Sequence, residues 1–286
     1  MNAVPKQGTR VIGDLLLRTV TSLPKVVSLW RRFPVGSVEL RTRYGAWSRA
    51  QYAYGTFHAA QQAKLLGLEG ISVIEFGVAG GDGLLALERV AGEVADYFGI
   101  RISVLGFDTG EGMPDPADYR DLPYVWGAGF YKMDQTRLKE RLSSDTRLVI
   151  GDVRQTVPQL RDAPDPIGFV AFDLDYYSST KNALAAFDLP HSTRLPRVYC
   201  YFDDIMNPEF ACHNPWTGEL CAIREFNDDQ AEAKLCPLNM LRWMRPHSEP
   251  WNEQIYVLHD FQHPLYSVNL MKRLGTPSPG ATAAAV

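Results

Sequence analysis

The chain has 286 residues, of which 45% are apolar and 22% charged, with a formal net charge of −4. This length and apolar content are enough for a folded domain with a large buried core. Residues 1–50 carry a net charge of +7, whereas the rest of the chain carries −11. An acidic body argues against duplex nucleic acid as a partner.

The amino-terminal residues contain no uninterrupted apolar stretch, because Asp14 and Arg18 fall within residues 11–20. No signal-peptide core and no membrane span are therefore expected. The four cysteines include no CxxC pair, which favours reduced thiols. Together these features predict a cytoplasmic protein.

Residues 9–35 mix apolar and basic side chains around the helix breaker Pro24. They could form basic amphipathic helices that contact an anionic membrane surface weakly. Packing on the surface of the domain is the interpretation we favour. A further helix is predicted from about Ser48 to Leu66, where Tyr52 and Phe57 begin a helical spacing and Gly67 offers a stop.

Short β-rich runs then alternate with helical stretches. The predicted strands are Ile71–Phe76, Ile102–Phe107, Arg147–Ile150, Gly168–Phe172 and Val198–Phe202, and the helices between them are Leu84–Tyr97, Gln135–Leu142 and Ser179–Phe187. This alternation indicates a parallel sheet covered on both faces. A late run, Gln254–Leu258, predicts an added antiparallel edge strand.

No internal repeat or linker interrupts this pattern. We expect a basic helical extension over residues 1–46, one domain over 47–274 and a disordered tail over 275–286. The fold class expected is α/β, a Rossmann-like doubly wound and mostly parallel seven-stranded sheet with helices on both faces and an extra helical N-terminal segment. A homo-oligomer is also expected.

The first strand ends in Glu75 and continues through a glycine turn that includes Gly77 and Gly81 into a helix. Glycines allow the backbone to approach a ligand closely. The spacing GxxGGxG differs from the dinucleotide fingerprint GxGxxG, and Asp82 at the start of the helix would repel a pyrophosphate. The turn therefore suits a ligand without phosphate, or a cationic one.

Each of the next two strands ends at an aspartate. Asp108 after the second strand can accept hydrogen bonds from both hydroxyls of a ribose, although an aspartate in a turn is also common. Asp152 after the third strand can accept from an adenine amine while Val153 covers the ring. Asp152 as a simple helix or turn cap is an equally open alternative.

Paired acids end the fourth and fifth strands. Asp173 and Asp175 are two residues apart, which in an extended strand turns both carboxylates to one side, and Asp203 and Asp204 end the fifth strand. Hard oxygen ligands at adjacent strand ends suit Mg²⁺, Mn²⁺ or Ca²⁺. Capping and ion pairing are the alternatives for each pair, but their joint occurrence favours a metal.

Taken in order, these motifs resemble the macrocin O-methyltransferase family of class I methyltransferases, over about residues 73–205. The carrying residues are Glu75-Phe76-Gly77-Val78 with Gly81, Gly106-Phe107-Asp108, Glu111-Gly112-Met113-Pro114, Gly151-Asp152-Val153-Arg154 through Pro158, Asp173-Leu174-Asp175-Tyr176-Tyr177 with Ser179-Thr180-Lys181 and Ala183-Leu184, and Asp203-Asp204.

The resemblance implies methyl transfer from S-adenosylmethionine to a hydroxyl of a sugar or similar natural product. It implies that Glu75 and Gly77 line the methionine end of the cofactor, that Asp108 holds the ribose and that Asp152 faces the adenine. It also implies that Asp173, Asp203 and Asp204 are ligands of Mg²⁺.

A bound metal would orient the acceptor hydroxyl and lower its pKa. We expect Asp173 and Asp175 to be the catalytic acids, with Asp175 as a base or as a support for the metal ligands. The aromatic residues Tyr124, Trp126, Phe130, Tyr131, Phe210 and Trp216 suit a sugar or aryl acceptor, or alternatively pack a lid on the sheet.

Two other interpretations stay open. The first two strands alone would also fit a nicotinamide-dependent oxidoreductase. That interpretation does not explain the acids at the ends of the fourth and fifth strands. A non-catalytic protein that retains the cofactor-binding fold is the third interpretation. A loop histidine, His213, could be catalytic, although an exposed loop position is the simpler explanation.

Overall fold

The computed structural model describes residues 16–23 and 25–274 of the chain. The strands are β1 (Gly70–Phe76), β2 (Arg101–Asp108), β3 (Arg147–Ile150), β4 (Ile167–Phe172), β5 (Arg194–Phe202), β6 (Ala233–Pro237) and β7 (Ile255–Asp260). The helices are α1 (Val26–Arg32), α2 (Val38–Tyr44), α3 (Ala50–Leu66), α4 (Asp82–Phe98), α5 (Gln135–Arg141), α6 (Val153–Thr156), α7 (Tyr177–Leu184), α8 (Gly218–Asp229) and α9 (Leu241–Met244).

Within the described residues the seven strands form one sheet in the order β3-β2-β1-β4-β5-β7-β6. The first five strands run parallel, and β7 runs antiparallel to β5 and to β6. The predicted fold class is therefore confirmed. The order reverses between β1 and β4, and ligands of open α/β sheets bind beyond the carboxyl ends of the strands at such a point.

The late strand departs from the prediction in its position. It is antiparallel as expected, but β7 lies between β5 and β6 rather than at the edge. The edge strand is β6, which the sequence pattern did not indicate. Its five residues include Lys234, an exposed Cys236 and Pro237, so the run lacks the apolar alternation that marks a strand.

Helices cover both faces of the sheet, and β1 is therefore buried on both faces. Ile71 and Val73 join the core beneath α3 and α4, whereas Ile74 and Phe76 join the core beneath α7 and α8. Side chains alternate between faces along a strand. Glu75, two residues after Val73, therefore points to the α3 side, where a tyrosine of that helix meets it.

The amino-terminal helices lie against a late part of the chain. The Thr21 hydroxyl is 2.6 Å from His247 Nε2, and Arg31 forms an ion pair with Glu249 at 2.6 Å. The predicted helical character is present over residues 16–21 and in α1 and α2. Residues 1–15 and the predicted tail at 275–286 lie outside the described residues, and the division at residue 46 stays a prediction.

The membrane-contact hypothesis for residues 9–35 can be compared with the part of that segment the structure describes. Leu29 of α1 and Phe33 and Val35 after it are each at least 60% exposed, so this segment leaves apolar side chains uncovered. No helix in the described part of the chain is long and apolar enough to cross a bilayer. Surface contact with a membrane stays a prediction.

Candidate functional site

The carboxyl ends of the five parallel strands open into one crevice with a volume of about 780 Å³. Every residue predicted to bind a ligand or to act in catalysis lines this crevice: Glu75, Gly77, Gly81, Asp108, Asp152, Val153, Asp173, Asp175, Asp203 and Asp204. The sequence prediction thus identified residues that share a single cavity. Their individual roles stay predictions.

The glycine turn after β1 lies against the end of β4. Gly77 has a φ of +85°, and a Cβ there would lie 1.7 Å from the carbonyl oxygen of Asp173. Gly81 has a φ of +87°, and a Cβ there would lie 2.1 Å from Leu138 Cδ1. Since only glycine meets both demands at low cost, these two residues set the floor of the crevice.

Glu75 is buried beneath this turn. The Tyr52 hydroxyl of α3 donates to Glu75 Oε1 at 2.6 Å, while Oε2 is buried with no hydrogen-bond partner among the described residues. Burial raises the pKa of Glu75 to about 8, against the opposing effects of the Tyr52 hydrogen bond and the Arg49 charge. The neighbouring Gly83 leaves room for the carboxylate, because a Cβ there would lie 1.9 Å from Oε1.

Asp108 binds the backbone of the loops around it. Its Oδ2 accepts from the amides of Val78 and Ala79, both at 2.9 Å, and its Oδ1 accepts from the Gly110 amide at 2.6 Å. The carboxylate therefore joins the end of β2 to the glycine turn of β1. The sequence predicted that Asp108 would face the crevice but not that it would shape the turn.

Asp152 has the capping geometry that was left open as an alternative. It is the N-cap of α6, accepts from the Arg154 amide at 2.8 Å and pairs with the Arg154 guanidinium at 2.5 Å. The hydrogen bond from Arg154 holds the pKa of Asp152 below its usual value. Val153 begins α6 beside it and lines the same end of the crevice.

The acids after β4 and β5 form a compact cluster. One carboxylate oxygen from each of Asp173, Asp203 and Asp204 lies within 4.8 Å of the other two. Two backbone contacts hold the cluster, since the Asp175 amide donates to Asp204 Oδ2 at 2.9 Å and the Asp204 amide donates to Glu219 Oε2 at 3.0 Å. The Tyr201 hydroxyl donates to Asp203.

The extended spacing predicted for Asp173 and Asp175 is wrong. β4 ends at Phe172, and Asp175 has a left-handed φ of 58° in the turn that follows. Aspartate tolerates this conformation better than most residues. Both carboxylates still line the crevice, and so does Leu174 between them.

Negative charge accumulates in this part of the crevice. Burial, and then the charges of Asp203, Glu75 and Asp175, raise the pKa of Asp173 well above its usual value. Burial and the Asp175 charge do the same to Asp204. Buried carboxylates that repel one another are stabilised by a cation, and three hard oxygen donors at this spacing fit a divalent one. The donor set therefore suits Mg²⁺ or Mn²⁺.

The aromatic residues expected around an acceptor divide into two groups. Trp126 and Tyr131 line the crevice. Tyr124 instead donates its hydroxyl to the Ala211 carbonyl at 2.6 Å, joining two loops. Phe130, Phe210 and Trp216 are not part of the cavity wall, and the half-buried His213 has its Nε2 atom 3.1 Å from the Asn207 carbonyl oxygen.

Three polar residues that contact or support the acids were not predicted. Arg49 and Tyr52 lie one turn apart at the start of α3, on the helix that precedes β1. Their spacing and their position before the glycine turn were the signal available in the sequence. Glu219, at the start of α8, is fully buried and reaches the fifth-strand acids only through tertiary packing.

Neither a protein family nor a curated protein sequence matches this chain. Among solved structures, the calicheamicin methyltransferase CalS11 is similar at 23% sequence identity and a TM-score of 0.51, covering 91% of this chain and 94% of that one. The O-methyltransferase NovP is similar at 16% identity and a TM-score of 0.48, covering 86% and 98%. The CalS11 likeness shows that the two proteins share a fold.

Proposed function

We propose that this protein is an S-adenosylmethionine-dependent O-methyltransferase that acts, with a divalent metal, on a hydroxyl of a sugar or natural-product-like small molecule. The observation that carries the proposal is the meeting of the glycine turn, Asp108, Asp152 and the acid cluster in one crevice. This arrangement offers a nucleoside site and a cation site side by side.

The proposed cofactor spans the ends of β1, β2 and β3. Glu75 and the glycine turn would hold its methionine part, Asp108 its ribose, and Asp152 and Val153 its adenine. A carboxylate has about four acceptor positions, and Asp108 uses three of them on backbone amides, which leaves one for a ribose hydroxyl. These hydrogen bonds would therefore order the glycine turn before the cofactor binds.

Asp173, Asp203 and Asp204 would hold the metal. When bound, such an ion orients an acceptor hydroxyl and lowers its pKa. Asp175 lines the crevice beside these ligands, and we propose that it accepts the hydroxyl proton or supports the ligands. In-line methyl transfer requires the acceptor oxygen to lie on the far side of the methyl group from the sulfur, and Glu75 and the acid cluster line the same crevice.

A sugar or related acceptor is supported by the walls of the crevice. Trp126 and Tyr131 present aromatic faces next to the acids, a combination that suits a polar ring with apolar faces. A second structure of CalS11, with a TM-score of 0.42, describes that protein as a TDP-rhamnose 3′-O-methyltransferase. The narrower assignment to the macrocin O-methyltransferase family stays a prediction.

A nicotinamide-dependent oxidoreductase is not favoured. Asp82 lies at the amino terminus of α4, where a pyrophosphate would otherwise bind, and its exposed carboxylate is 3.1 Å from Arg141. The acid cluster would also have no purpose in hydride transfer. A non-catalytic protein retaining the fold would have no need to keep four acids at the acceptor side.

Calorimetry with S-adenosylhomocysteine and NADH tests the proposal directly. We expect S-adenosylhomocysteine to bind at micromolar or lower concentrations and NADH not to bind. Incubation with labelled S-adenosylmethionine, Mg²⁺ and a panel of sugar and phenolic acceptors then tests transfer to oxygen. Binding of NADH without S-adenosylhomocysteine would overturn the proposal.

A further inference from the structure

Arg49 lines the same crevice and is not used by the proposed reaction. It is the N-cap residue of α3, and its side chain makes no cap hydrogen bond. Its guanidinium lies 5.6 Å from the centre of the Tyr52 ring, one helical turn along. Since Tyr52 donates to Glu75, the guanidinium is at the Glu75 end of the crevice, remote from Asp152.

The N–H groups of this guanidinium make no hydrogen bonds to the described part of the protein. Within residues 16–23 and 25–274, no hydrogen bond or ion pair joins the Arg49 side chain to another residue. The charges of Glu75, Asp173 and Asp203 favour the ionised form of this half-buried arginine, but they do not satisfy its five N–H groups, which face the cavity without a hydrogen-bond acceptor from the described residues. Such a group is compensated when a ligand supplies a planar anion, which a carboxylate does in a bidentate manner.

Glu75 offers a hydrogen-bond acceptor at the same end of the crevice. Glu75 Oε2 is buried and has no hydrogen-bond donor among the described residues. One end of the crevice therefore contains an acceptor oxygen, Glu75 Oε2, and a guanidinium, that of Arg49, neither of which has a hydrogen-bond partner in the described part of the chain. An α-amino acid group, which carries an ammonium and a carboxylate on one carbon, has the charges needed to satisfy both.

We infer that Arg49 binds the α-carboxylate of the methionine part of S-adenosylmethionine, while Glu75 Oε2 accepts from its α-ammonium. The inference rests on the proposed function, because it assigns one end of that cofactor. It makes α3, which precedes the sheet, a part of the cofactor site. Recognition of the amino acid end would then come from a helix outside the glycine turn.

A different role for Arg49 is to offset the charge of the acid cluster, since its charge also acts on Asp173 and Asp203. The two roles predict different ligand dependence. Loss of a carboxylate contact weakens only ligands that carry the carboxylate. Loss of a general charge effect alters all cofactor analogues alike.

The test compares S-adenosylmethionine with decarboxylated S-adenosylmethionine, which keeps the ammonium and the sulfonium. Both are titrated by calorimetry in EDTA without an acceptor, using wild type, Arg49→Gln, Arg49→Lys and Arg89→Gln. Arg89 is an exposed arginine of α4 outside the crevice and serves as the matched control. Thermal unfolding of each variant confirms that it is folded.

We expect wild type to prefer the intact cofactor by roughly ten- to hundredfold, the usual range for a charged hydrogen-bonded pair. Arg49→Gln should lose this preference and bind both ligands with similar affinity, while binding of the decarboxylated ligand stays near wild type. Arg49→Lys should show an intermediate ratio because it keeps the charge without the fork. Arg89→Gln should match wild type.

Equal affinity of wild type for the two ligands overturns the inference, whether or not Arg49→Gln folds. An equal loss for both ligands in Arg49→Gln also overturns it and favours the general charge effect. Failure of wild type to bind either ligand or S-adenosylhomocysteine contradicts the proposed function itself. The two failures are therefore distinguishable in one set of titrations.

Discussion

The two halves of the crevice treat their carboxylates differently. In the half formed by the ends of β2 and β3, the cofactor half, Asp108 accepts three backbone amides and Asp152 is paired with Arg154. In the half formed by the ends of β4 and β5, the acidic half, the carboxylates lie within 4.8 Å of one another. The acids of the cofactor half have amide or arginine partners, whereas Asp203 and Asp204 accept hydrogen bonds but also lie among other acids.

The difference shows in the pKa values. The hydrogen bond from Arg154 lowers the pKa of Asp152, whereas burial and neighbouring acids raise the pKa of Asp173 and Asp204. The amides and Arg154 thus leave little uncompensated negative charge in the cofactor half, which suits the neutral or cationic nucleoside that we propose. Ionised carboxylates this close repel one another, and we propose that a cation offsets their charge.

Removing one acid of the acidic half should have the largest effect. Asp203→Ala deletes a proposed metal ligand, and we expect methyl transfer to fall by roughly a thousandfold, because a metal supplies several kcal/mol to such a step. Binding of S-adenosylhomocysteine should stay within about threefold, since Asp203 lies outside the cofactor half.

The exposed Asp96 of α4 provides the matched control, and Asp96→Ala should keep full activity. EDTA should reproduce the Asp203→Ala result in wild type, and Mg²⁺ should reverse it. Wild-type rates in Asp203→Ala would show that the acidic half needs no cation.

The next largest effect is expected in the cofactor half. Asp108→Ala removes the proposed ribose acceptor and also releases the amides of Val78 and Ala79, so S-adenosylhomocysteine should bind at least about a hundredfold more weakly. Asp108→Asn, which keeps one acceptor oxygen, should lose less. Calorimetry that finds Asp108→Ala within threefold of wild type would contradict the assignment.

The boundary between the halves can be tested at Gly77. A Cβ there would lie 1.7 Å from the Asp173 carbonyl at a φ of +85°, so Gly77→Ala should lower the free energy of unfolding by about 3 kcal/mol. Gly80→Ala is the matched control, since a Cβ at Gly80 meets nothing within 4 Å. Urea unfolding of the two variants measures the contrast, and equal midpoints would argue against the close approach.

Glu75 gives a pH-dependent prediction. Its ordinary pKa is 4.5, and burial raises the folded value to about 8. The unfolded chain therefore loses its proton first as the pH rises, so this group's contribution to stability is full below pH 4.5 and is lost between pH 4.5 and 8. Glu75→Gln removes that loss.

Relative to wild type, Glu75→Gln should thus gain about 2 kcal/mol between pH 5.5 and 7.5 in the absence of ligand. Urea unfolding at several pH values measures the difference between the two proteins. Parallel stability curves would contradict a raised pKa for Glu75.

The smallest effect is expected at Asp152. Its carboxylate is half-exposed and already paired with Arg154, so exchanging it for alanine should weaken S-adenosylhomocysteine binding by only about three- to fivefold. Adenosine itself should show the same small loss in calorimetry. A loss as large as that of Asp108→Ala would mean that Asp152 carries much more of the nucleoside affinity than its pairing suggests.

The sequence predicted the crevice because of a simple geometric rule. Carboxyl ends of parallel strands meet at one edge, so acids that end strands, such as Asp108 and Asp203, come together without knowledge of the packing. The glycine turn was equally visible, since Gly77 and Gly81 need backbone freedom that can be recognised in a strand–turn–helix pattern.

Other features depended on packing that a single sequence does not encode locally. Tyr52 reaches Glu75, and Arg49 lines the crevice, only because α3 crosses the face of the sheet beside β1. Glu219 meets Asp204 through the placement of α8. The edge strand β6 lacks a pattern of its own, and its pairing with β7 decides its conformation. The turn at Asp175 likewise ended a strand that the sequence had extended.

Crystals grown with S-adenosylhomocysteine and Mn²⁺, with diffraction collected at the manganese edge, test the contrast between the two halves most directly. We expect the nucleoside over the ends of β2 and β3, with its ribose at Asp108, and one anomalous peak among Asp173, Asp203 and Asp204. Nucleoside density with no anomalous peak at those three aspartates, or a nucleoside bound outside the crevice, would contradict the division into a cofactor half and a cation-binding half.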